Sequence, residues 1–249
     1  MDEPRQLSLL GLRLDVVERI DLLDRVDRMV SSAAKHTVMY LNVHVANCAV
    51  RDPQLRAALR GADLVYCDGA GVRLGARILG VRIPPRMTGA DFIWDLAALA
   101  ARRGHRLFWV GGQPEVARQA AQCLARANPT LEVVGTHHGY FERSGATNEG
   151  VIKLISDARP DIVLVGLGTP AQERWVAKHR QAIQAPVVWC IGATADFVGG
   201  QAPRAPRWMV RSGLEWLYRM WNEPRRMARR YVVGNPLFLA RVIRQRLRG

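Results

Sequence analysis

The sequence predicts an α/β protein with a Rossmann-like, doubly wound and mainly parallel sheet, followed by a basic helical C-terminal appendage. Three observations carry the prediction. From about residue 90 to residue 191, short solid apolar runs alternate with segments of helical period, the pattern of parallel strands covered on both faces and joined by crossover helices. The runs end in loops of small residues, Gly111-Gly112-Gln113-Pro114, Gly166-Leu167-Gly168-Thr169-Pro170 and Gly192-Ala193-Thr194-Ala195-Asp196. After Gly200 the pattern changes, and tryptophans interleave with arginines. The expected division is an α/β domain over residues 1–202 and a basic amphipathic appendage over 203–249.

The elements follow in chain order. Val16, Val17, Ile20, Leu23, Val26 and Val30 fall at helical spacing within Leu14 to Val30, which predicts an amphipathic helix. Val38 to Val43 is strand-like and bounded by the polar Asn42 and His44. Asp52-Pro53 opens a helix, with the acid at the N-cap and proline at the first helical position. Leu64 to Tyr66 is a buried strand that runs out in Cys67-Asp68-Gly69-Ala70-Gly71, and Val72 to Leu79 is the next helix. Val81 to Gly89 contains Pro84-Pro85 and excludes regular structure, so Arg86 stands on a stiff loop. Beyond it come helix (Asp91 to Arg103), strand (Arg106 to Val110), helix (Pro114 to Arg126), strand (Leu131 to Gly135) and helix (Glu149 to Ala158). A strand (Asp161 to Val165), a helix (Pro170 to Gln184) and a strand (Val187 to Ile191) complete the alternation. In the appendage Arg207 to Trp221 is helix-like, Glu223-Pro224 breaks it, and Leu237 to Leu247 forms a final helix.

The charge is unusual. The net charge of +14 exceeds what solubility requires and implies an anionic partner: nucleic acid, acidic lipid or a phosphorylated substrate. Twelve arginines against two glutamates follow Pro203, so the appendage carries most of the excess. It reads equally as a solvated basic helix packed through its tryptophans, a membrane-surface element, or an RNA-binding face. The four cysteines are scattered without metal-ligand spacing, which points to free thiols. No run approaches the ~20 apolar residues of a membrane span, and Met1 to Gln6 is not a signal segment. The expectation is a cytoplasmic protein with any membrane contact made from its surface.

Asp68 is the first candidate for chemistry. A carboxylate where a strand runs out lies on the edge at which open α/β sheets bind ligands, although Asp-Gly also suits a plain turn. The loops at Gly111 and Gly168 let a ligand approach the backbone, and two of the three loops feed helix N-termini that favour phosphate. Gly166-Leu167-Gly168 lacks the third glycine of a dinucleotide fingerprint, and there is no phosphate-binding loop ending in Gly-Lys-Ser/Thr, so no cofactor is implied. His137 and His138, on opposite sides of an extended segment, read as surface or hydrogen-bonded histidines rather than zinc ligands.

A set of motifs then follows in order: Asp68-Gly69 after a strand, Arg86 with Thr88-Gly89, Val134 to Phe141, Gly166 to Glu173, Arg204-Ala205-Pro206, and Gly213 to Arg219. Together they resemble the WecG/TagA/CpsF glycosyltransferases, family 26, over nearly the whole chain. The resemblance implies an inverting, metal-free transfer of a sugar from a UDP-sugar donor (UDP-N-acetylmannosamine-type or a related hexose) to a polyprenyl-diphosphate-linked saccharide, in cell-surface polysaccharide or teichoic acid synthesis. It implies Asp68 as the general base, Asn42 in the first loop, and Arg86 and Gln172 on the donor and its leaving diphosphate. It places Asp196 and Tyr140 near the nucleotide, and Arg219, Arg226 and Arg229 on the diphosphate of the acceptor. The implied partners are donor, acceptor and an anionic membrane surface at the inner face of the cell membrane, not nucleic acid, with homo-oligomerisation left open. Tyr40 stands where many members have threonine, and His44 where an acid is frequent. The rival reading is a basic nucleic-acid-binding α/β protein without transferase activity.

Overall fold

Six strands of the computed structural model form one all-parallel sheet, and the chain enters it through a hairpin. The structure describes residues 5–84, 88–203, 205–206, 208–209, 212 and 214–248, with backbone alone at 219, 225, 226 and 229. The hairpin is β1 (Gln6–Leu9) and β2 (Leu12–Asp15), followed by α1 (Arg19–Val30), β3 (His36–Leu41), α2 (Val43–Ala49), α3 (Pro53–Gly61), β4 (Leu64–Cys67), α4 (Ala70–Ile78) and α5 (Gly89–Arg103). Next are β5 (Arg106–Gly111), α6 (Val116–Ala127), β6 (Glu132–His137), α7 (Gly145–Asp157), β7 (Ile162–Gly166), α8 (Ala171–His179), β8 (Val187–Cys190) and α9 (Thr194–Val198). The appendage holds α10 (Glu215–Asn222), α11 (Pro224–Ala228), a π-helical turn (Arg229–Val233) and α12 (Gly234–Arg248).

The strand order is β4-β3-β8-β7-β5-β6. Right-handed crossovers put α5 and α6 on one face, where α9 packs against both, while α3 and α8 pack together on the other. This is the doubly wound layout that the alternating apolar runs predict. β3 hands its chain outward to β4, whereas β8 hands its chain the opposite way, to α9 against α6. The loops therefore part between β3 and β8, and that parting leaves a crevice at the carboxyl edge of the sheet. Below it, Phe92 stacks on Trp189 at 4.7 Å, and Tyr66 meets both rings edge-on.

Three local departures from the expected elements have identifiable causes. The helix expected from Leu14 starts at Arg19, because Leu12–Asp15 pairs antiparallel with Gln6–Leu9. Buried Asp15 accepts from the Val65 amide at 2.8 Å, tying the hairpin to the outer edge of β4. The strand expected through Val43 stops at Leu41, because Asn42 accepts from the Val45 amide at 3.0 Å and caps α2. The helix expected to reach Gln184 ends at His179, where the Arg180 guanidinium turns back onto the carbonyls of Ile183, Ala185 and Pro186. The cap expected at Asp52 forms, its carboxylate accepting from the Leu55 amide at 3.0 Å.

The last helix is fastened to the body. Phe238 and Val242 of α12 are fully buried, and Phe238 lies so close over Gly75 of α4 that a Cβ there would sit 2.8 Å from the ring. Arg241 donates to Asn47 Oδ1 at 2.6 Å, and Gln245 bridges Ser8 O and the Leu10 amide in the hairpin. With α12 held, α10, α11 and the π-helical turn arch back over the crevice. No helix among the described residues is long and apolar enough to cross a membrane.

Candidate active site

The crevice is a cavity of about 1000 Å³ whose walls come from the loops after β3, β4, β5, β6, β7 and β8 and, on the open side, from Glu215, Met227, Arg230 and Leu237 of the appendage. A smaller chamber of about 140 Å³ lies beside it, between the start of α4 and the appendage residues Trp216, Tyr231 and Asn235. Asn42, His44, Asp68, Thr88, Glu215 and Arg230 line both spaces. Asp68 therefore stands on the partition between a large chamber and a small one.

Asp68 is held from two directions. β3 and β4 run side by side in register, Leu41 opposite Cys67, so the residues just past their ends, Asn42 and Asp68, emerge together. The Asp68 amide donates to Leu41 O at 2.9 Å, and Asn42 Nδ2 donates to Asp68 Oδ2 at 3.1 Å. The carbonyl of the same Asn42 side chain is committed to the α2 cap, which fixes the orientation of its amide. The negative charge of Asp68 is felt around it: burial first, and Asp68 after it, hold the Tyr66 hydroxyl well above its ordinary pKa.

The floor is a closed polar cluster. Gln172, fully buried, donates from Nε2 to Tyr40 Oη at 3.1 Å and to Glu173 Oε1 at 2.8 Å, while its Oε1 accepts from the Gly192 amide at 3.2 Å. Thr169 Oγ1 donates to the same Glu173 oxygen at 2.8 Å. Glu173 Oε2 is buried and finds no hydrogen-bond partner among the described residues. Burial holds this carboxyl above the usual carboxylate range, so the floor favours its neutral form.

Of the residues singled out from the sequence, Asn42, Asp68, Tyr140, Gly168 and Asp196 line the large cavity. Tyr140 is 68% exposed at its rim. Gln172 lies beneath the floor with its amide engaged as above. Gly111, at the end of β5, is pressed against β7, where a Cβ would sit 2.6 Å from Gly166 O; its neighbour Gly112 reaches the cavity. Arg86 lies outside the described residues, and Arg219, Arg226 and Arg229 fall on α10, α11 and the π-helical turn with their side chains outside the description. His137 and His138 do not point apart: β6 ends at His137, the alternation ends with it, and the two rings lie 4.5 Å apart.

The motifs mark neither Arg143 nor Arg230, both of which line the cavity; Arg230, counted among the arginines of the appendage, is one position from the arginine singled out at 229. Glu173 sits inside a quoted motif without being marked. Arg143 and Arg230 bring positive charge to the walls of the cavity that Asp68 also lines, and charge of that sign suits a phosphorylated ligand. Among the described residues no group of three metal-ligating side chains is arranged to hold an ion.

The model of the glycosyl transferase WecG/TagA/CpsF family matches residues 7–249. An N-acetylglucosaminyldiphosphoundecaprenol N-acetyl-beta-D-mannosaminyltransferase of Bacillus subtilis (strain 168) is 28% identical over 212 residues, 84% of this chain and 80% of that protein. A protein of the same description from Bacillus spizizenii is 27% identical over 237 residues, 90% of each chain.

Proposed function

The chain belongs to the WecG/TagA/CpsF family of glycosyltransferases, and from that premise we propose that it moves a sugar from a UDP-sugar, of the UDP-N-acetylmannosamine type or a related hexose, to a polyprenyl-diphosphate-linked saccharide in cell-surface polymer synthesis. The names of the Bacillus relatives, which describe N-acetylmannosaminyl transfer to N-acetylglucosaminyldiphosphoundecaprenol, support this type of sugar and this acceptor. The observation that carries the reading is the position of Asp68 on the partition between the two chambers.

In this reading the UDP-sugar occupies the large chamber, since a nucleotide sugar exceeds what about 140 Å³ holds. The acceptor hydroxyl comes up beside Asp68, which takes its proton as the oxygen attacks the anomeric carbon. A new C–O bond forms, the bond from C1 to the β-phosphate oxygen breaks, and its electron pair leaves on UDP. Attack from the side opposite the diphosphate inverts the anomeric centre. The transfer proceeds without a metal, the growing negative charge meeting arginines such as Arg143 and Arg230 and loop amides. The part of the appendage before α12 acts as a flap over the acceptor, hung from that fastened helix, with Arg86, Arg219, Arg226 and Arg229 assigned to phosphate contacts. Trp208 and Trp221, 64% and 86% exposed, beside the arginines, dock the protein on an anionic membrane at its inner face.

The test is incubation of the purified chain with a panel of UDP-sugars and a short-chain polyprenyl-diphosphate saccharide. Transfer of one sugar with release of UDP is the expected result. A chain that no UDP-sugar stabilises against heat, and that transfers none, would remove the reading.

A further inference from the structure

We propose that Tyr40 sets the size of the donor sugar that the site admits, a reading that rests on the UDP-sugar assignment above and deepens it. Tyr40 is the penultimate residue of β3, and it lines the large cavity but not the small chamber. Of these two spaces the large one has room for a nucleotide sugar, so Tyr40 fronts the donor. In the register of the sheet it stands opposite Tyr66, two residues before Asp68, and burial holds its hydroxyl well above the ordinary phenol value. The ring therefore lies close to where the reacting sugar must sit.

The hydroxyl of Tyr40 is turned into the floor. It accepts from Gln172 Nε2 at 3.1 Å. It also presses on Gly192, where a Cβ would lie 2.7 Å from Oη and where φ is +61°, so no larger residue fits beneath it. What Tyr40 offers the cavity is thus ring carbon. The same contacts decide what Gln172 offers. One N–H of its amide goes to Tyr40 and the other to Glu173, while its carbonyl is taken by Gly192. An amide so engaged has no donor left for a ligand. Tyr40 accordingly does two things with one side chain: it plugs the floor of the sugar subsite, and it retains Gln172 as a strut beneath it. Selection among donors then falls to shape, because an apolar wall discriminates by what it leaves no room for.

The experiment measures kcat/KM for a UDP-hexose and a UDP-N-acetylhexosamine with the wild-type chain, Tyr40→Phe, Tyr40→Leu and Tyr40→Thr. Heat stabilisation by UDP is recorded for each. Tyr40→Thr opens the floor and is expected to raise the ratio of N-acetylhexosamine to hexose kcat/KM by about 10-fold or more, the worth of a filled apolar site. Tyr40→Leu, which keeps more of the buried volume, moves the ratio in the same direction. Tyr40→Phe lowers both kcat/KM values together, since Gln172 loses an acceptor, and keeps their ratio. The proposal is overturned if the threonine and leucine variants, still stabilised by UDP, keep the wild-type ratio. It is equally overturned if Tyr40→Phe shifts the ratio as far as threonine does. A wild-type chain that neither responds to UDP nor uses any UDP-sugar would instead bring down the assignment beneath it, and this proposal with it.

Discussion

The side-chain amide of Asn42 donates to Asp68 Oδ2 at 3.1 Å while its carbonyl caps α2 through the Val45 amide. One residue thus serves a helix and a carboxylate, and the two roles separate by substitution. Asn42→Ala loses both and is expected to cost about 1 kcal/mol of stability, the usual worth of a cap, and about 10-fold in turnover, as for one hydrogen bond to a charged group. Asn42→Ser retains a capping oxygen and stays near wild-type stability, yet loses the amide that orients Asp68. Denaturant unfolding and kcat check both; full turnover in Asn42→Ser would show that Asp68 is positioned without Asn42.

Glu173 predicts a pH dependence. Its carboxyl is held above the usual range by burial, so the folded chain keeps a proton that the unfolded chain releases. Stability from this group is complete below the ordinary carboxylate pKa and is lost as pH rises through the raised one. Glu173→Gln, which keeps an acceptor for Gln172 and Thr169 but carries no titratable proton, flattens the stability profile over that window. Unfolding free energies taken across the acidic to neutral range test it, and an unchanged slope in the variant counts against a neutral Glu173.

The last helix predicts a large loss. Phe238 is fully buried against Gly75, and Phe238→Ala is expected to cost about 3–5 kcal/mol. Urea midpoints measure this, and a loss under about 1 kcal/mol would mean that α12 contributes little to the fold.

The exposed tryptophans predict lipid binding. Replacing Trp208 and Trp221 with alanine should weaken sedimentation with anionic vesicles while leaving heat stabilisation by UDP in place. Unchanged sedimentation would place the membrane contact elsewhere.

Much of this was legible in the sequence. Parallel strands buried on both faces are solid apolar runs, so β3, β4, β5, β7 and β8 announce themselves, and Asp68 is visible as an acid where such a run stops. α2 was not, because Val43 and Val45 continue the apolar run of β3 into a helix of seven residues, too short for its period to show. The hairpin was hidden for the same reason: each strand has four residues, and Leu14 fits the spacing of α1 as well as that of β2. The floor is harder still. Tyr40, the segment from Thr169 to Glu173, and Gly192 lie far apart in the chain, and only the order of the strands brings the ends of β3, β7 and β8 together. Motif matching marks Gln172 as polar and near the site, but whether its amide faces a ligand or a tyrosine depends on packing.

The central claim is that Asp68 takes the proton from the acceptor. The direct measurement is single-turnover transfer by Asp68→Asn, read beside UDP-induced heat stabilisation of the same preparation. The substitution is expected to leave UDP stabilisation at the wild-type level and to slow transfer by about 10²–10⁴-fold, the range for a positioned base. Transfer at close to the wild-type rate in a variant that still binds UDP would contradict it.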